Sequence, residues 1–365
     1  MDTRRDDEEE AAAPLLAAPA PRSHAADVHV LSAAFVCLFS AYSAAQNLQS
    51  TVNDEGDLGT VSMGVLYTSF TLFAVAASPV VRWLGASRAL VIGTSGYLLF
   101  ILANLVPTWY TMVPASLYLG FTASIIWVGQ GTYLTSAALS HARDNNLPDG
   151  PTLGSFNGEF WGVFASTQVI GNLISLALLR NGKVYSRHLY GCGFLRAVFT
   201  KSIVTPVLGI SGVGGAMAIY GASDVVCSLV AGRFTSGLHS ATFIVSVGAI
   251  VQAVVLFWLL LFYSPMEGLL GAAIPLFIGA LWGVGDGVLN TQLSALLGLL
   301  FEDVKEAAFA QLKVWQSGAI AVIFFLSPSI TLQAMLILMA TSLVISFGLF
   351  LLLTLVVEKP SSIRA

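Results

Sequence analysis

The chain has 365 residues, 56% of them hydrophobic and 10% charged, with a mean hydropathy of +0.80. A water-facing globule carries roughly 25% charged residues, so this composition excludes an ordinary soluble domain and points to an all-α polytopic membrane protein. The net charge of −4 says little about partners, because seven of the 20 acidic residues fall in the first 27 positions. The basic residues are too scattered for a nucleic-acid surface.

In chain order, residues 1–27 are acidic and then rich in Ala and Pro, with no apolar run long enough for a signal peptide, and are expected to form a disordered cytosolic tail. Long apolar runs broken by Pro, Gly and charge predict helices near 28–47, 61–81, 89–106, 110–136 and 156–179, which make an N-terminal half over 28–180. Residues 181–206 are too charged to span and form an atypical connector. Five more helices are expected near 208–231, 241–263, 269–297, 309–326 and 330–357, a C-terminal half over 207–357, followed by a short tail over 358–365. With the N-terminus cytosolic, 11 of the 16 basic residues fall in inner segments, as the positive-inside rule requires. Both termini are then cytosolic. The remaining five lie in or beside the central connector.

The two halves repeat one another. Leu58-Gly59, Arg82, Gly96, Gly129-Gln130-Gly131 with Thr135, and Glu159-Phe160-Trp161 return as Leu208-Gly209, Arg233, Gly248, Gly285-Asp286-Gly287 with Thr291, and Lys313-Val314-Trp315, at offsets of 150 to 156 residues. Five matches in register argue for a duplicated helical bundle. The same offset, applied to the first and last predicted helices, lands both counterparts on the central connector. The simplest reading is a parent of six plus six helices that has lost its sixth and seventh, leaving five plus five.

Ionisable residues at membrane depth are costly and are candidates for function. Asp224 and Asp286 fall near mid-span, where a carboxylate can carry a proton, neutralise a cation, or take a hydrogen-bonded packing role. Glu159 and Lys313 are expected in the first turns of their helices, either as interfacial anchors with solvated heads or as a gating or coupling pair. Gln130 stands at the register position of Asp286. The amides Gln46, Asn47 and Gln49 close the first predicted helix; they line an outer vestibule or satisfy one another. Glycines at four-residue spacing, Gly154, Gly158 and Gly162 on one helix and Gly279, Gly283 and Gly287 on another, are read as close helix contacts. Cys37, Cys192 and Cys227 make neither a disulfide framework nor a metal spacing. No catalytic triad, cofactor loop or metal site stands out, so an enzyme is not expected.

The segments NLQSTVN (47–53), LGTVSMGVLYTSFTLFAVAASPVVRWLG (58–85), WYTMVPASLYLGFTASIIWVGQGTYLT (109–135), FNGEFWGVFASTQVIGN (156–172), GVGDGVLNTQLSALL (283–297) and FAQLKVWQSGAIAVIFFLSP (309–328) resemble the uncoordinated-93 (Unc-93-like) family, most closely its plant members. That resemblance covers about 40–183 and 196–357. It implies a major-facilitator-like bundle, with Arg82, Gly85, Arg88 and Arg233 in the places of the superfamily's basic cytosolic loops. It also implies regulation of an ion channel or potassium homeostasis, as a subunit that binds an integral membrane channel or receptor among membrane lipids. The membrane would be the plasma membrane or an endomembrane, the vacuole included. The other reading is a secondary transporter of a small solute, with proton coupling as one option, and a midplane cavity bounded by Gln130, Asp224 and Asp286.

Overall fold

A chain in hydrocarbon must satisfy every backbone polar group internally, and long apolar runs therefore close into helices. The computed structural model describes residues 24–52, 58–181, 203–262, 269–326 and 330–357. Its helices are α1 Ala25–Val52, α2 Leu58–Leu84, α3 Ala86–Ala103, α4 Trp109–Asp144, α5 Asp149–Asn181, α6 Thr205–Arg233, α7 Leu238–Phe262, α8 Leu269–Leu300, α9 Lys305–Leu326 and α10 Leu332–Val357. A single 3₁₀ turn, Glu302–Val304, precedes α9. Among the described residues, nine of these helices are long and apolar enough to cross a membrane. The protein is a multi-pass membrane protein. The tenth, α5, carries Asn157, Glu159, Gln168 and Asn172. The proposed N-terminal tail to residue 23, the C-terminal tail, and the connector over 182–202 lie outside the described residues.

Each predicted helix is present, and the largest boundary differences are at the end of α4 and the start of α5. At ~1.5 Å per residue, a 36-residue α4 is about 54 Å long, well beyond a ~30 Å hydrocarbon layer. Its last turn carries Ser140, His141, Arg143 and Asp144 and continues the helix past the apolar run. At its start, Thr108 accepts from the Thr111 amide at 3.3 Å, while the Thr111 hydroxyl accepts from the Thr108 amide at 3.0 Å, a reciprocal cap. Similarly, α5 starts at Asp149 and α9 at Lys305, with Asp149 and Glu306 in the first turns, where the helix dipole favours acids.

The helices pack in matching pairs. In the first half α4 contacts α2 and α3; in the second α8 contacts α6 and α7. Across the halves α2 packs on α9 and α6 on α5, and α4 on α9 answers α8 on α5. Replacing α2 to α5 by α6 to α9 therefore maps these contacts onto one another. Outside this set, α1 lies along α5 and α10 against α7.

Glycine sets the α5–α6 seam. A Cβ on Gly158 would stand 2.7 Å from the Cα of Gly232, and one on Gly232 only 2.5 Å from the Gly154 carbonyl. The small-residue reading of Gly154 and Gly158 is thus a backbone-to-backbone approach.

Candidate functional site

Where α1 to α6, α8 and α9 converge, they enclose a cavity of about 260 Å³. The two halves line it with different chemistry. The first half contributes rings. Phe35, Phe39 and Tyr42 follow one another at helical spacing along α1, and Phe35 meets Trp127, Phe160 and Phe164 at centroid separations of 5.7, 5.2 and 6.3 Å. Trp127 and Trp161 stack nearly parallel, 6.0 Å apart. Each indole N–H has a partner: Trp127 donates to the Tyr97 hydroxyl at 3.1 Å, and Trp161 to the Ser294 hydroxyl at 3.1 Å. Tyr42, Tyr97, Trp127, Trp161 and Phe164 all face the cavity.

The charges on its wall come from the second half. Asp224 on α6 is 8% exposed and accepts from Ser228 at 3.0 Å. Its neighbour on α8 is Gly287, where a Cβ would lie 2.8 Å from the Asp224 carboxylate, so glycine there lets the acid lie against α8. Asp286, also on the wall, accepts from the Tyr220 hydroxyl. Lys313 on α9 is 6% exposed and reaches across to the first half, its Nζ 4.7 Å above Trp127 and 5.8 Å from Trp161. It donates to Gln316 Oε1 at 2.8 Å. Among the described residues it forms no ion pair.

The sequence candidates therefore separate. Asp224, Asp286 and Lys313 share one cavity. Lys313 is not in a first helical turn and has no solvated head: α9 starts eight residues earlier, so the side chain sits two turns inside the bundle. Glu159, ten residues into α5, is likewise not a first-turn residue; it is about one-third exposed and pairs with His29 of α1. Glu159 and Lys313 do not form a pair. Gln130 is buried in α4 but does not line the cavity. The side chains of Gln46, Asn47 and Gln49 lie outside the described residues, although their backbone continues α1. Arg82, Arg88 and Arg233 are exposed at the ends of α2, α3 and α6, and Gly85, at φ +78°, makes the turn between α2 and α3.

The rings were missed in the sequence, as were Tyr220, Gln168, Asn290 and Gln316. The signal that could have found the rings was the helical spacing of Phe35, Phe39 and Tyr42. No group of three or more His, Cys, Asp or Glu side chains among the described residues is placed to hold a metal ion.

A second hollow, of about 670 Å³, is almost wholly apolar and lies between α7, α9 and α10. Val314 and Gly318, the register counterparts of Phe160 and Phe164, line it.

The family profile described as "Ion channel regulatory protein UNC-93" matches residues 52–260 and 217–351. UNC93-like protein 3 of Arabidopsis thaliana is 50% identical over 93% of this chain and 89% of its own length. Protein unc-93 homolog A of Homo sapiens is 27% identical over 82% of this chain and 86% of its own length. "Putative potassium channel regulatory protein unc-93" of Caenorhabditis elegans is 27% identical over 84% of this chain and 58% of its own length. The Arabidopsis alignment runs over 417 positions, whereas 93% of this chain is about 340 residues, leaving about 78 positions of that relative with no counterpart here.

Proposed function

The chain belongs to the UNC-93 family, and from that premise we propose that it is a non-enzymatic regulatory subunit. In this reading it modulates an ion channel, and through it potassium homeostasis, by binding another integral protein within the membrane. The observation that carries this is the family profile, which covers both halves and whose description is channel regulation. The outward side chains suit such a role: Val91 and Leu98 on α3, Val254 and Leu261 on α7, and Ile345 and Leu349 on α10 are exposed apolar residues that face lipid or a partner helix. The termini are cytosolic, in a plasma membrane or endomembrane. Arg82, Arg88, Arg143 and Arg233 stand at helix ends that alternation of direction places on one side, which supports that orientation.

The chain is further read as a major-facilitator-like bundle of twelve helices reduced to ten. Three observations support this. The contacts of α2 to α5 recur in α6 to α9. The Arabidopsis relative carries about 78 extra positions, room for two membrane helices of ~20 residues and a loop. The apolar hollow beside α9 occupies the place that α1 fills beside α5.

The test is current recorded from cells that co-express the whole chain with potassium channels of their own membrane. A change in current or in channel surface level is expected. Unchanged current with this protein present at the same membrane would overturn the reading. A second reading, secondary transport of a small solute, is favoured by the charged cavity between the halves. Its test is solute flux into proteoliposomes, abolished by Asp224→Asn or Asp286→Asn.

A further inference from the structure

On the cavity wall Lys313 and Asp224, ionisable groups of opposite sign, form no ion pair with each other. Lys313 and Asp224 are each more than nine-tenths buried, each lines the same 260 Å³ space, and neither forms an ion pair among the described residues. In a low-dielectric interior, pairing them would be the direct way to offset their desolvation. Lys313 is turned away from that solution. Gln316 and the face of Trp127 hold its ammonium on the aromatic wall, while Ser228 and Gly287 hold Asp224 on the opposite helix pair, and Asp286 lines the same cavity. The space between is the cavity.

We propose that this cavity binds a small zwitterion of the amino-acid class, its carboxylate on Lys313, its ammonium between Asp224 and Asp286, and its apolar part against Tyr42, Trp127 and Phe164. A ligand with one charge serves only one of the two walls; a small molecule with both charges can serve the two together. Indole and phenol faces are favourable neighbours both for an ammonium group and for an apolar side chain. The volume lies at or below the small end of ligand pockets, which suits a metabolite rather than a peptide. The proposal holds whether the bound molecule is carried across the membrane or sets the state of a regulatory subunit, so it stands apart from the channel reading and its failure would leave that reading intact.

The test uses the whole chain in lipid nanodiscs and follows thermal unfolding with phenylalanine, leucine, glutamine, γ-aminobutyrate, phenethylamine and 3-phenylpropionate as probes. Phenylalanine is expected to raise the melting temperature saturably, with an affinity at least tenfold above that of either single-charge analogue. Lys313→Met should remove its advantage over phenethylamine, and Lys313→Arg should retain it. Asp224→Asn should remove its advantage over 3-phenylpropionate. Should a variant fail to fold, the analogue series on the unaltered protein decides alone. Equal stabilisation by phenylalanine and either analogue overturns the proposal. So does the absence of any shift with phenylalanine, leucine, glutamine and γ-aminobutyrate.

Discussion

Trp161 and Trp315 stand at matching positions, 154 residues apart in α5 and α9, yet the first is 7% exposed and the second 72%. The difference follows from what surrounds each helix. In the first half α1 lies along α5, and Phe35 packs on Phe160 and Phe164, so this face of the repeat is sealed by rings. In the second half Val314, Trp315 and Gly318 border an open apolar hollow, and Trp315 is left largely exposed. The same scaffold therefore supports two surfaces: a closed aromatic wall that forms one side of the cavity, and a helix, α9, whose inward edge carries Lys313 and whose outward edge is unburied. A repeat read from sequence fixes which helices correspond. It does not fix which side chains become core.

The sharpest way to break this comparison is to truncate both tryptophans. Trp161→Ala removes a buried ring stacked on Trp127 and a hydrogen bond to Ser294, and should cost about 3 to 5 kcal/mol. Trp315→Ala removes an outward ring and should cost about 0.5 kcal/mol or less. Thermal unfolding in nanodiscs measures both, and similar losses would show that α9 is covered as α5 is.

Next in size are the two seams that join the halves. On α5–α6 a methyl group at Gly158 meets the Gly232 backbone at 2.7 Å, so Gly158→Ala must push the helices apart and should cost about 2 kcal/mol. On α2–α9 the nearest atom to a Cβ at Gly318 is a methyl of Thr71 at 3.5 Å, an ordinary contact, and Gly318→Ala should be neutral or slightly stabilising through helix propensity. Equal effects at the two positions would mean that the seams are not distinguished by glycine.

Much of this plan was legible in the sequence, and the failures have physical causes. Apolar runs place all ten helices, because hydrocarbon leaves the backbone no other option. They misplace the end of α4 and the starts of α5 and α9, because a helix extends on capping and local hydrogen bonds beyond its apolar content. That error of a few residues is what made Lys313 look like a surface anchor. Asp224 and Asp286 were visible as charges in apolar surroundings. Their aromatic counterparts were not, since a phenylalanine that lines a cavity and one that faces lipid look alike in a membrane sequence; only Phe35, Phe39 and Tyr42, spaced along one helical face, gave a usable hint. Gln130 was inferred from its register with Asp286 and lies buried away from the cavity, a direct case of the repeat failing to carry side-chain function.

The charges of the second half should matter less for stability than the rings of the first. Asp224→Asn keeps the shape of the side chain and an acceptor for Ser228 while removing a buried ionisable group, and replacement of such groups is often neutral or stabilising. In the absence of ligand the melting temperature is therefore expected to change by the equivalent of about 1 kcal/mol or less. A loss as large as that of Trp161→Ala would show that Asp224 holds the fold and would remove the functional contrast between the halves.

The smallest effect is expected where the halves meet in water. Arg143, at the end of α4, pairs with Glu302 in the 3₁₀ turn before α9, while His24 ties the start of α1 to Asp144 within the first half at 3.3 Å. Both partners of the Arg143–Glu302 pair are more than two-fifths exposed, so water and salt screen it. A double-mutant cycle with Arg143→Gln and Glu302→Gln should give a coupling of about 1 kcal/mol or less, falling further as salt is raised. Because the pair bridges α4 of one half and the α8–α9 turn of the other, its coupling also reports how firmly the two halves are held together on that side. A salt-insensitive coupling well above this value would make the pair a structural clasp between α4 and the turn before α9.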